Sequence, residues 1–152
     1  MDRTPGLKPH PDEVLALDLL CLVEPSGSPL DATAHRERLA ISILKSEWAV
    51  LRRGGRLIAY GYLWQQAAGE WFVGGLAIHP DHRTAPVVLA LGAAMRDLVE
   101  RLDVRTLRSH VLRSNAASLR LHRRLGFAVE QENERAIAFC GDSADLFTRL
   151  PV

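Results

Sequence analysis

The run Asn115-Ala116-Ala117-Ser118-Leu119-Arg120-Leu121-His122-Arg123-Arg124-Leu125-Gly126-Phe127 decides how this chain is read. It predicts a helix from Ala116 to Leu125, opened by Asn115 and closed by Gly126, the residue type that best tolerates a left-handed helix end. Just before it, Thr106 to Leu112 reads as a strand. Earlier still, Val87 to Leu102 carries apolar residues at 87, 91, 94, 95, 98 and 102, the spacing of a helix with one buried face. A strand, a helix and a strand in that order imply a crossover, and crossovers pair their two strands in parallel.

Working outward, Trp48 to Arg52, Leu57 to Trp64 and Trp71 to Ile78 read as an antiparallel meander. Its turns fall at Gly54-Gly55 and Ala67-Ala68-Gly69. Two helices precede it: Glu13 to Leu22, with Asp12 as its cap, and one capped by Asp31 that runs to about Glu47. Residues 1–11, with three prolines and a glycine, read as a loose arm, and no convincing strand lies ahead of the first helix. Val129 to Glu134, Ala136 to Phe139 and Leu146 to Leu150 are strand-like closers. The expected fold class is α/β, an α+β mixed sheet in one domain spanning residues 1–152. Its sheet is antiparallel first and parallel in the middle.

A hydrophobic fraction of 47% and a charged fraction of 24% are ordinary for a soluble globular protein. The longest apolar run, Leu15 to Val23, is broken by Asp18 and falls short of the roughly 18–20 residues that span a bilayer. No basic-then-apolar leader is visible, so no membrane and a cytoplasmic location are expected. Cys21 and Cys140 lie far apart and are expected as reduced thiols. His79-x-x-His82 with Asp81 offers too few ligands to predict a metal site. Net charge is +1, yet Arg101 to Arg124 holds seven arginines against one acid, Asp103. Such a patch suits phosphates on a cofactor, a carrier protein or a nucleic acid, or is simply a solvated surface. It has no interleaved aromatics, which argues against single-stranded nucleic acid.

From Trp48 to Leu150 the chain resembles the GNAT superfamily of acyl-CoA N-acyltransferases. The shared features are Leu76-Ala77-Ile78-His79-Pro80, the basic turn at Arg83 and the segment from Asn115 to Phe127. The resemblance implies a GNAT-like fold with a splayed central pair of parallel strands and acetyl-CoA, or another acyl-CoA, as co-substrate. A pantetheine arm would add itself like a strand to the backbone of Leu76, Ala77 and Ile78. Asn115 and Ser118 would hold the thioester end, although Asn115 is equally suited to capping a helix. The pyrophosphate would meet the N-terminus of the helix beginning near Val87, where free N–H groups and the helix dipole favour an anion.

At that place the family usually has Arg/Gln-x-x-Gly-x-Gly/Ala. This chain has Arg83-Thr84-Ala85-Pro86-Val87-Val88. Pro86 brings no N–H, and Val88 adds bulk where backbone should approach phosphate. One lost bond to a charged group is worth about 1.5–3 kcal/mol, or roughly ten- to a hundredfold in affinity.

His122 stands where many members have a tyrosine that protonates the departing thiolate. It shares a helix face with Ser118, and a histidine with its ordinary pKa suits the task. The other reading is a surface histidine among arginines. The strand carboxylate that often serves as base is replaced by Gly74-Gly75. Glu70, His79, Asp81 and His110 remain as candidates, and Glu70 is assigned the role.

The expected function is therefore acetyl transfer from acetyl-CoA to a primary amine, on a small molecule or a peptide, by direct attack in a ternary complex. Two other readings stay open. One is an acyltransferase that takes its donor from an acyl carrier protein docked on the arginine patch. The other is a GNAT-like binding module without turnover. Sheet-edge homodimers are common in the resembled family, which leaves a dimer open as well.

Overall fold

The structure is a computed structural model that describes residues 1–3, 7–24 and 26–147. Helix α1 (Pro11–Cys21) begins at a proline, whose fixed φ suits the first helical position. Its cap is His10, not the expected Asp12. The His10 ring accepts from the Asp12 N–H at 3.1 Å, and Glu13 reaches back to the His10 N–H at 2.8 Å. Helix α2 (Ala32–Lys45) is capped by Asp31, which accepts from the Ala34 N–H at 3.0 Å. It stops short of Glu47 because that residue opens the sheet.

The six strands are β1 (Glu47–Arg53), β2 (Arg56–Ala67), β3 (Glu70–Ile78), β4 (Thr106–Leu112), β5 (Ala128–Glu132) and β6 (Ala136–Asp142). They lie side by side in the order β1-β2-β3-β4-β6-β5. Gly54 and Gly55 turn the first hairpin with φ of +57° and +76°, as the sequence predicts. Helix α3 (Ala85–Arg101) crosses from β3 to β4, and this pair is parallel while every other pair is antiparallel. Helix α4 (Ala116–Leu125) follows β4 and ends at Gly126 with φ +100°. β6 inserts between β4 and β5. Of the expected closing strand from Leu146 to Leu150, Leu146 and Phe147 are a buried turn, and 148–150 lie outside the described residues.

The N-terminal arm is less loose than its prolines suggest. Asp2 exchanges two main-chain bonds with Arg52, at 2.9 and 3.0 Å, and Lys8 reaches the Leu44 carbonyl. Among the described residues this single bridge is all that stands where a strand ahead of α1 could lie.

Alternation along the strands gives the sheet two apolar faces. Leu51, Ile58, Leu63 and Phe139 pack beneath α3 and α4 with Leu91, Met95 and Leu125. Trp48, Val50 and Tyr60 pack beneath α1 and α2 with Val14, Leu17, Leu39 and Ile43. Among the described residues, no helix is long and apolar enough to cross a membrane.

One defect positions everything that follows. The β3–β4 ladder runs from Glu70 opposite Thr106 to Val73 opposite Ser109, and there it stops. Beyond it β3 stays with β2, and β4 stays with β6. Gly74 is the extra residue of a bulge between the pairs Val73–Leu63 and Gly75–Tyr62. A Cβ on Gly74 or Gly75 would overlap the Tyr62 ring, which is why glycines stand there.

Candidate active site between the splayed strands

Two cavities open where the strands part. The smaller, about 210 Å³, lies between the end of β3 and α4, with Leu76, Val88, Asn115 and Leu121 in its wall and Arg83, Arg120 and Arg124 at its rim. The larger, about 520 Å³, lies under α1 and α2 on a floor of Tyr60, Tyr62, Gly74 and Gly75. Cys21, Leu22, Leu76, Asn115 and Ser118 border both. A reactant in one cavity would therefore meet a reactant in the other at Leu76, Asn115 and Ser118.

The backbone groups predicted for the donor are unequal. The His79 N–H bonds the Ile58 carbonyl at 2.7 Å, so by alternation Ala77 turns its main chain toward β2, and Leu76 and Ile78 turn theirs toward the gap. The Ile78 carbonyl is already held by the Arg83 Nε at 3.1 Å and approached by the Cys21 thiol at 3.5 Å. Of the three, Leu76 is the residue whose N–H and C=O stay directed at the gap.

Helix α3 begins at Ala85, with Thr84 at its cap position and no side-chain capping bond there. Its first intrahelical bond runs from the Val88 N–H to the Thr84 carbonyl at 3.0 Å. Ala85 and Val87 can offer N–H groups ahead of that bond, but Pro86 cannot. Arg83 and Val88 border the smaller cavity, whereas Thr84, Ala85 and Pro86 sit on the outer surface and Val87 points into the core.

Asn115 caps α4 by accepting from the Ser118 N–H at 3.1 Å, while its amide remains beside both cavities. His122 is 1% exposed, between the rings of Phe127 and Phe139. Its Nδ1 lies 2.8 Å from the Ser118 carbonyl, so Nδ1 carries the proton, and Nε2 accepts from the Ser109 hydroxyl at 2.7 Å. Burial lowers its pKa, and the Ser118 carbonyl offsets this in part. The ring is neutral at physiological pH and has no proton free for the cavity. That differs both from the proton donor and from the surface histidine the sequence offered.

Glu70 is not at this site. It begins β3 at the closed end of the ladder, bonded to Arg108 at 3.2 Å, and borders neither cavity. Of the other candidate bases, His79 caps a short 3₁₀ turn by accepting from the Asp81 N–H, and Asp81 is exposed. His110 does border the larger cavity, edge-on to Phe72.

The sequence reading missed a third group. Asp18 on α1 is buried, with one carboxylate oxygen 2.7 Å from the His35 Nε2 and the other accepting from the Tyr60 hydroxyl. Burial pushes the Asp18 carboxyl up, against the downward pull of His35 and Tyr60. Burial and Asp18 together hold the Tyr60 phenol well above its ordinary value. The one signal in the sequence was an acid interrupting the apolar run from Leu15 to Val23.

A family model, Acetyltransferase (GNAT) family, matches residues 14–127. The chain belongs to the GNAT family. Similar solved structures include the PaiA N-acetyltransferase of Thermoplasma acidophilum in complex with coenzyme A, at 13% identity and a TM-score of 0.73, covering 93% of this chain and 99% of that one. The ribosomal-protein-S18-alanine N-acetyltransferase of Escherichia coli is 20% identical with a TM-score of 0.65, covering 93% and 94%. PseH of Campylobacter jejuni, an N-acetyltransferase in complex with acetyl coenzyme A, is 17% identical with a TM-score of 0.57, covering 74% and 79%. At these identities the likeness speaks for the fold. No curated protein sequence matches the chain.

Acyl-CoA is the typical co-substrate of GNAT proteins, and the residues of this member fit it unevenly. The gap beside Leu76 has the open strand edge that an amide-bearing arm would need to add itself as a strand. The arginine rim supplies charge for phosphates, while Pro86 thins the set of N–H donors at α3.

Proposed function

We propose that this protein transfers an acetyl group from acetyl-CoA to a primary amine by direct attack, with both reactants bound together. The observation that carries the reading is the end of β3–β4 pairing at Val73 and Ser109, which leaves two cavities meeting at Leu76, Asn115 and Ser118. In this reading Leu76 bonds the pantetheine arm, and Arg83, Arg120, Arg124 and the first turn of α3, from Ala85 to Val88, face the phosphates. Asn115 and Ser118 hold the thioester at the start of α4, whose dipole favours negative charge on the departing sulfur. Bringing amine and thioester into one geometry supplies most of the acceleration. His122 acts here as a neutral brace linking Ser109 and Ser118. A thiol's ordinary pKa is about 8.5, so the sulfur can leave as thiolate and take its proton afterwards.

Pro86 and Val88 favour one second reading, in which the donor is an acyl carrier protein that presents pantetheine without the adenosine diphosphate. Calorimetry with acetyl-CoA, dephospho-CoA and acyl carrier protein separates the two. Submillimolar binding of acetyl-CoA, with weaker binding of dephospho-CoA, is the expected result. Binding confined to the carrier protein would select the second reading. Silence from all three would leave a module without turnover.

A further inference from the structure

We propose that His35, oriented by Asp18, is the base that takes the proton from the acceptor, an aliphatic primary amine that enters the larger cavity as its ammonium ion. The inference rests on the acetyl-transfer reading above and adds the group that makes the amine nucleophilic.

His35 and Asp18 both border the 520 Å³ cavity, as do Asn115 and Ser118, which it shares with the donor side. Asp18 is fixed through both oxygens, by Tyr60 and by the His35 Nε2 at 2.7 Å. A carboxylate on Nε2 places the ring proton there and leaves the lone pair on Nδ1. Among the described residues, the donor recorded at Nδ1 is the Arg38 Nη2 at 3.5 Å, the outer limit of a hydrogen bond, and that exposed guanidinium also leans toward Glu24 at 4.0 Å. The other titratable groups around the cavity are Cys21, Tyr60, Tyr62, His110 and Arg38, beside the neutral His122. Among the described residues, Asp18 and His35 are the carboxylate–imidazole pair in this cavity, at a site where Gly74 and Gly75 leave β3 without side chains.

The step balances. One ammonium proton passes to the His35 Nδ1, and the freed lone pair bonds the thioester carbonyl carbon. The C–S bond breaks with its electron pair on sulfur, the surplus proton on the new amide nitrogen goes to the thiolate, and His35 returns its own to solvent.

His35→Gln keeps an N–H toward Asp18 and removes the base. With acetyl-CoA and butylamine, spermidine or an alanyl peptide, and released thiol as the readout, kcat/KM should fall by roughly 10²–10⁴-fold. The acetyl-CoA Kd and the Tm should not change. The acidic limb of the kcat/KM profile should vanish in His35→Gln. Ring ¹⁵N shifts of the wild type should report the Nε2–H tautomer. An unchanged acidic limb in His35→Gln, or an Nδ1–H tautomer with or without turnover, overturns the proposal and leaves acetyl transfer standing. A wild type that binds no acetyl-CoA overturns both.

Discussion

β3 and β4 form one parallel pair with two unlike ends. At the closed end four rungs of backbone pairing include the fully buried Leu107, and Arg108 on β4 reaches Glu70 on β3 and, over β6, Glu130 on β5. At the open end the same strands diverge past a glycine bulge, and polar groups that would be intolerable in a sealed core line two cavities. The Glu70–Arg108–Glu130 charges at the closed end are a partly exposed surface network, worth little to stability. The candidate site at the open end comes from a backbone irregularity, with side chains arranged around it.

The most severe way to break this contrast is to hollow out the closed end. Leu107→Ala should cost about 2–5 kcal/mol in urea unfolding while acetyl-CoA affinity in the folded protein is kept. The converse substitution, Arg120→Ala with Arg124→Ala, should leave the unfolding midpoint in place. Titration should show acetyl-CoA affinity lower by roughly ten- to a hundredfold, with a shallower dependence on salt.

Pro86→Gly sharpens the comparison from the other side. A restored N–H at α3 should tighten acetyl-CoA by about tenfold in the same titration. Equal affinities would mean that phosphate never meets that turn.

His122 gives a smaller effect with a defined sign. Its folded pKa lies below the unfolded value of 6.5, so between the two the unfolded chain holds more protons. The stability this contributes is complete above pH 6.5 and is lost as pH falls through the folded pKa. The slope is at most about 1.4 kcal/mol per pH unit. His122→Gln should remove that part of the slope in urea titrations between pH 7 and 5. Last and smallest, Glu70→Gln at the closed end should leave both turnover and the unfolding midpoint where they are.

Much of the architecture was legible because it is written locally. The meander, the crossover and α4 depend on turn glycines, apolar spacing and a cap, all within a few residues of one another. The placement of β6 between β4 and β5 depends on which edge β4 offers, and no short window records that. The site divides along the same line. Arg83, Asn115 and Ser118 came from short motifs, and they do border the cavities. Asp18 and its partners His35 and Tyr60 lie 17 and 42 residues apart in sequence, joined only once α1 and α2 cross the sheet. Glu70, expected as the base, lies away from both cavities for a related reason: a strand long enough to carry the site has a far end, and the residue is on it.

The larger cavity has a consequence for engineering. Its floor belongs to the sheet, but Asp18, Leu22, His35, Arg38 and Leu39 in its wall all come from residues 11–45. The helices of that stretch wall the larger cavity on one side and fill the core over the sheet on the other, through Val14, Leu17, Leu39 and Ile43. Exchanging it for the matching segment of another family member should transplant the choice of acceptor while leaving the handling of the donor largely as it was.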